Sequence, residues 1–353
     1  MLRLFSPGAV LALLAACSDV AGTSEPAASA IDAGDAIAPS PVVDGGTENA
    51  DAQVAADAGD KNSESPVWTI PKEAPDCDPA KPFGAPVLVE GLPAAQLSPV
   101  GGTILGGRVA LSPDERTIFF GMRTPGTTTD ARIMIAERAR RSDPFGPARA
   151  LFQGAKGKEF VDPTVTSDGL TMYFKDYGRY GLWKVTRPNV ASAFGSEVLY
   201  ELGSQTISNT YGTFVSGDGS QLYGQYSLPG NENLYRFAAN PPGSIGVKET
   251  NLSAGAAYGP NEVMGFTLSL DGRTLIYTKQ LASSGDSKYY ASKRASMADP
   301  FGPGVEITEF GTIVLQTSGN SRPQMLSADT CRLYRFDWIA GGNRALFVAT
   351  RGK

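Results

Sequence analysis

The chain has 353 residues, of which 41% are hydrophobic, with a formal net charge of −5 and no histidine. That length allows one or two domains. The absence of histidine excludes Ser-His-Asp and Cys-His catalysis and removes the usual zinc ligand.

The N-terminus reads MLRLFSPGAVLALLAAC, with Arg3 ahead of an apolar stretch from Val10 to Ala16. This is the layout of a secretory signal peptide, and the run is too short to cross a bilayer as a helix. The tetrapeptide Leu14-Ala15-Ala16-Cys17 resembles the lipobox of bacterial lipoproteins. The resemblance implies removal of residues 1–16, a lipid on Cys17 and a membrane anchor in the bacterial cell envelope. Ser18 is compatible with the outer membrane, facing periplasm or cell surface. An ordinary signal peptide with a coincidental cysteine is the alternative.

Residues 17–66 are rich in Ala, Asp, Gly, Ser and Pro and contain no aromatic residue; ten acidic side chains face Lys61 alone. Such a stretch cannot bury enough apolar surface to offset its ordering entropy, so it reads as a disordered tether. As a flexible coil it would reach ~35–40 Å. Without it and Arg3 the remaining chain carries about +3, no surplus that points to nucleic acid.

From residue 67 to 353 a unit of about 50 residues recurs five times, a period typical of propellers and solenoids. Its landmark is a turn followed by an apolar strand: LSPDERTIFF from Leu111, VTSDGLTMYF from Val165, VSGDGSQLYG from Val215, LSLDGRTLIY from Leu268 and LSADTCRLYR from Leu326. Asp-Gly between apolar runs signals a hairpin, because Gly accepts positive φ and Asp bonds its own backbone. The turn aspartates Asp114, Asp168, Asp218, Asp271 and Asp329 recur in every copy, which suits a structural role better than a catalytic one. A third strand aligns as ARIMIAER from Ala131, YGLWKVTR from Tyr180, ENLYRFAA from Glu232, SKYYASKR from Ser287 and RALFVATR from Arg344. A fourth follows Asp-Pro-Phe-Gly or a relative, degenerate in the third copy as PPGSIGVKE from Pro241.

Four strands in each of five copies predict an all-β propeller of five blades. The fifth copy ends before its fourth strand, and KPFGAPVLVEG from Lys81 supplies it, closing the ring. The motifs resemble the TolB-type and related WD-like propeller repeats of bacterial envelope proteins. A sixth, diverged blade within residues 89–108 is the alternative. This alignment places Cys77 and Cys331 in one blade, and an exported chain meets an oxidising compartment, so a disulfide between them is expected. Two unpaired or intermolecularly paired cysteines are the alternative.

No Gly-x-Ser-x-Gly elbow, P-loop or dinucleotide fingerprint appears in a fitting context. The remaining catalytic option is a carboxylate set in the central funnel, with Glu159, Asp162 and Glu262 as candidates. Trp183 and Trp338 are either ligand platforms or core. No cofactor is expected; an oxygen-ligated Ca2+ in the channel stays open. The resulting expectation is a lipid-anchored, non-enzymatic module that binds a protein, peptide or glycan, with a glycan hydrolase or lyase as the alternative.

Overall fold

The computed structural model describes residues 77–92, 104–123, 130–151, 159–176, 181–200, 210–228, 231–239, 247–248, 263, 265–280, 286–313, 322–339 and 343–353. Signal peptide, Cys17 and tether lie outside them.

The first blade contains β2 (Ile104–Leu111), β3 (Thr117–Arg123), β4 (Ala131–Glu137) and β5 (Arg149–Ala150). The second contains β6 (Phe160–Val165), β7 (Thr171–Asp176), β8 (Gly181–Thr186) and β9 (Val198–Tyr200). The third contains β10 (Thr210–Val215), β11 (Gln221–Leu228), β12 (Asn231–Ala238) and β13 (Val247–Lys248). The fourth contains β14 (Gly265–Leu268), β15 (Thr274–Gln280), β16 (Ser287–Lys293) and β17 (Val305–Glu306). A further short strand, β18 (Thr312–Ile313), also pairs with β16. The last blade contains β19 (Arg322–Leu326), β20 (Arg332–Ile339) and β21 (Asn343–Thr350), and takes β1 (Val87–Leu88) as its outer strand. All of these pairings are antiparallel.

The innermost strands β2, β6, β10, β14 and β19 touch in that order, and β19 returns to β2. The ring is therefore closed by five blades. Residues 104–111, which the six-blade alternative assigned in part to an extra blade, form the inner strand of the first.

Each second strand is apolar on both faces because a blade packs on each side of it. Ile118 and Phe120 pack with Met325 and Tyr334 of the last blade, whereas Phe119 between them packs with Phe160 and Phe174 of the second. Tyr173 turns to the third blade and joins Val215 and Leu222, while Tyr223 and Tyr277 meet between the third and fourth. Phe119, Phe174, Tyr223 and Tyr277 are wholly buried. Each such side chain contributes about 1.5–3 kcal/mol from apolar burial, which is why the second strand reads as an unbroken hydrophobic run.

Closure follows the circular offset read in the sequence: Val87 pairs with Val348 and Leu88 with Phe347. Cys77 and Cys331 form a disulfide across a sequence separation of 254 residues. It fixes the segment before β1 to the turn of the last blade.

Candidate functional site

The five turns share one hydrogen-bond device. A hydroxyl on Ser112, Thr166, Ser216, Ser269 or Ser327 donates to Oδ1 of the aspartate two residues on, at 2.5–2.6 Å. The same hydroxyl accepts the backbone N–H five residues ahead, at 2.9–3.1 Å. Oδ1 also accepts the N–H two residues beyond the aspartate, at 2.9–3.0 Å. Burial opposes ionisation of Asp218 but is outweighed by the Ser216 hydroxyl and by the Ser220 N–H and hydroxyl, so its pKa lies below the usual carboxylate value. Asp329 is lowered in the same way: burial opposes, and the Ser327 hydroxyl, the Cys331 N–H and Arg332 prevail. These aspartates hold the first hairpin of every blade.

A second repeated device was missed in the sequence. The third strands run into Arg138, Arg187, Arg294 and Arg351, whose Nε atoms donate to the carbonyls of Glu115, Gly169, Gly272 and Thr330 at 2.7–3.1 Å. Each guanidinium lies over a phenylalanine of the next landmark: Phe145, Phe194, Phe301 and Phe83, at 3.9–4.4 Å from the ring centroid. Such a stack stabilises by about 0.5–2 kcal/mol. The third copy lacks both partners, with Ala239 at the arginine position and no phenylalanine between Pro241 and Glu249. There the Ala239 carbonyl accepts the Tyr200 hydroxyl at 2.7 Å instead. The joint loss of Arg and Phe was the signal that could have exposed the pair.

The axis carries the asymmetric chemistry. Four residues before each turn hydroxyl stand Arg108, Asp162, Gly212, Gly265 and Pro323, a different type in almost every blade. The Arg108 side chain, 6% exposed, crosses the axis. It donates to the Phe266 carbonyl of the fourth blade and, at 3.5 Å, to the Gln324 carbonyl of the fifth. Its guanidinium lies 5.4 Å from the Phe214 ring of the third blade and 4.8 Å from that of Phe266. Gly212 faces it at φ 72°, the left-handed region that favours glycine, and a Cβ there would sit in ordinary contact with Arg108 Nη2 at 3.5 Å. Burial lowers the Arg108 pKa to about 10, partly countered by Asp162, and the group stays charged at neutral pH.

Asp162 completes the second blade's share. Its backbone adopts φ 54°, inside a register shift between Val161 and Thr164, and its Oδ1 accepts the Arg108 N–H at 2.7 Å. A left-handed conformation at a residue with a Cβ costs about 1–3 kcal/mol. Lys175 sits close enough to feel the same carboxylate; burial lowers its pKa and Asp162 raises it. Among the described residues no group of three or more His, Cys, Asp or Glu could hold a metal ion.

Arg108 lines a small cavity with Thr164, Phe214, Leu270, Gln324 and Met325, with no carboxylate among the described residues of its lining. The Gln324 Oε1 there is buried with no hydrogen-bond partner among the described residues. The turns draw together beneath it: Ser167 donates through N–H and hydroxyl to the Gly217 carbonyl at 3.0 and 2.6 Å, and Gly217 N–H donates to Leu270 at 3.2 Å.

Of the predicted carboxylates within the described residues, Asp162 is placed at this axis. Glu159 bridges to Ala131 of β4, and its N–H donates to Asp176 at 3.2 Å. Glu262 lies outside the described residues. Trp183 packs against the core between the first two blades. Trp338 lies on β20, its side chain outside what the structure describes. Among the described residues no helix is long and apolar enough to cross a membrane.

No protein-family model matches the chain, and no curated protein matches it in sequence. Solved structures do. TolB from Acinetobacter baumannii is 16% identical with a TM-score of 0.41; the match covers 71% of this chain and 56% of TolB, so the chain spans little more than half of that protein. An α-L-arabinofuranosidase from Podospora anserina, solved with cellotriose, is 14% identical over 79% of this chain and 99% of its own, with a TM-score of 0.50. The catalytic domain of a Coprinopsis cinerea GH62 α-L-arabinofuranosidase is 12% identical over 77% and 98%, with a TM-score of 0.51. At these identities the likeness is one of fold.

Proposed function

We propose that the protein is a lipid-anchored β-propeller of the bacterial cell envelope that binds a protein, peptide or glycan without transforming it. The observation that carries the reading is the filled axis: Arg108 spans it, and the Oδ1 of Asp162 is committed to a backbone N–H. Glycoside hydrolysis by two carboxylates needs both to face one space, about 5–5.5 Å apart for retention and about 6.5–9.5 Å for inversion. Among the described residues, the lining of the small cavity beside Arg108 includes no carboxylate. The anchor rests on the Leu14–Cys17 motif and the reach on the acidic tether.

The test is binding of the full chain to glycan and peptide arrays, alongside reducing-end release from arabinoxylan and pectic oligosaccharides. Retention without release is expected. Release abolished by Asp162→Asn would replace this reading with the hydrolase. That second reading has one observation in its favour, because strained backbone such as that of Asp162 gathers at active sites. Metabolic labelling with palmitate should mark the wild-type chain and not Cys17→Ser; equal labelling of both would remove the anchor. A melting curve shifted by calcium would support the metal alternative.

A further inference from the structure

The residue after each turn aspartate adopts positive φ in all five blades. Blades two, three and four place Gly169, Gly219 and Gly272 there, at φ 64–74°; the first places Glu115 and the last Thr330, both at φ 60°. Glycine is the unstrained choice for this conformation, so a glutamate is retained at a cost that its side chain must offset.

The Glu115 side chain crosses the seam between the first and last blades, 2% exposed. Its carboxylate accepts Arg332 Nε at 2.8 and 2.9 Å, pairs with Arg332 Nη2 at 2.8 Å and accepts the Tyr334 hydroxyl at 2.5 Å. Arg332 also binds Asp329 at 2.6 Å. Arg141 approaches from the loop after β4, 3.7 Å from Glu115 and 3.9 Å from Asp329. Arg138 closes the group, donating to the Tyr334 hydroxyl at 3.2 Å and to the Glu115 carbonyl at 2.8 Å. Burial raises the Tyr334 pKa and the charge of Glu115 raises it further, which keeps the phenol a donor. A carboxylate and guanidinium this buried and this fully bonded are strongly destabilising to separate.

The disulfide meets the same seam, since Cys331 immediately precedes Arg332. The two ties restrain different motions. Cys77–Cys331 holds the segment carrying β1 on the last blade, whereas Glu115 holds the first blade's turn against β20. Both therefore hold the N-terminal side of the ring against the last blade, through different contacts.

We propose that Glu115 and Arg332 form an ionic lock that keeps the ring shut when the Cys77–Cys331 disulfide is absent, so that the propeller opens only when both ties are lost. Such a device would let the exported chain close before its cysteines are oxidised, and would keep it closed under reduction.

The test is amide hydrogen exchange on the full chain in four forms: wild type, Glu115→Gly, the Cys77→Ser/Cys331→Ser pair, and all three substitutions together. The reporters are the amides of Val89, bonded to Leu346, and Phe145, bonded to Glu90, because both tie the N-terminal segment at the seam. The Ala239 amide, bonded to Ser220 in the third blade, is the control. The expected result is acceleration by less than about tenfold for either change alone and more than about a hundredfold for the combination, with Ala239 unmoved. Glu115→Gly that slows exchange or leaves it unchanged in the cysteine-free chain would mean that glycine merely relaxes the turn, and the lock is wrong. Wide opening of the cysteine-free chain with Glu115 intact would overturn it equally. Glu115→Gln, which keeps the shape and loses the charge, repeats the test should the glycine form not fold, and exchange at the wild-type rate there refutes the lock.

Discussion

The hydroxyl of Thr166 allows a sharp test of the turn device, because its two functions can be removed one at a time. Its Oγ1 donates to Asp168 at 2.5 Å and accepts the Thr171 N–H at 3.1 Å, in a residue 6% exposed. Its methyl points at the next blade, where a Cβ on Gly219 would come within 3.1 Å of it. Thr166→Val keeps the volume and deletes the hydroxyl. One lost bond is to an ionised carboxylate, at about 1.5–3 kcal/mol, and the other leaves a buried N–H unpaired, so the expected loss is about 2–4 kcal/mol. Thr166→Ser keeps the hydroxyl, as four of the blades do, and removes one methyl, for about 1 kcal/mol. Ser220→Ala serves as the exposed control, since its hydroxyl bonds Asp218 at 2.8 Å in solvent and should cost under about 0.5 kcal/mol. Guanidinium titrations followed by circular dichroism give the three values from midpoint and slope. Should the valine variant be no less stable than the serine variant, packing rather than hydrogen bonding holds these turns.

Three further outcomes follow from the same geometry. Reducing Cys77–Cys331 should lower the denaturation midpoint by the equivalent of up to about 5.5 kcal/mol, the chain-entropy value for a loop this long, read by the same titration with and without reductant. Gly91→Ala should destabilise strongly, because Gly91 sits at φ 82° and a Cβ there would stand 2.0 Å from the Phe145 carbonyl oxygen; a melting point within a degree or so of wild type would contradict this. Acid stability has a defined sign. Asp218 and Asp329 bind protons less readily folded than unfolded, so their contribution is complete above the ordinary carboxylate value and is lost as pH falls through their lowered folded values. Replacing Asp218 by Asn should therefore flatten the fall in stability below about pH 4, measured by melting across a pH series.

Much of the architecture was legible in the chain. The hydroxyl-x-Asp turn repeats with little variation, and each blade's hairpin is a local structure, so spacing alone reports it. The circular offset was legible for the same reason: a copy missing one strand has its complement near Lys81, and the cysteine pairing follows from that offset. The Arg–Phe stack was present in the sequence but unread, because its members belong to separately aligned landmarks and only the third blade's loss of both links them.

The axis and the seam were another matter. Arg108 reaches Phe266 and Gln324, 158 and 216 residues away, and Glu115 reaches Arg332 across 217. No periodicity encodes such meetings, because a repeat reports what the blades share, while these contacts depend on where they differ. By itself the sequence determined five blades, their hairpins and the closing strand, all products of local hydrogen bonding and alternating burial. Only the tertiary ring decided that one arginine fills its centre and one glutamate clasps its seam, since closing the circle is what brings the first blade against the last.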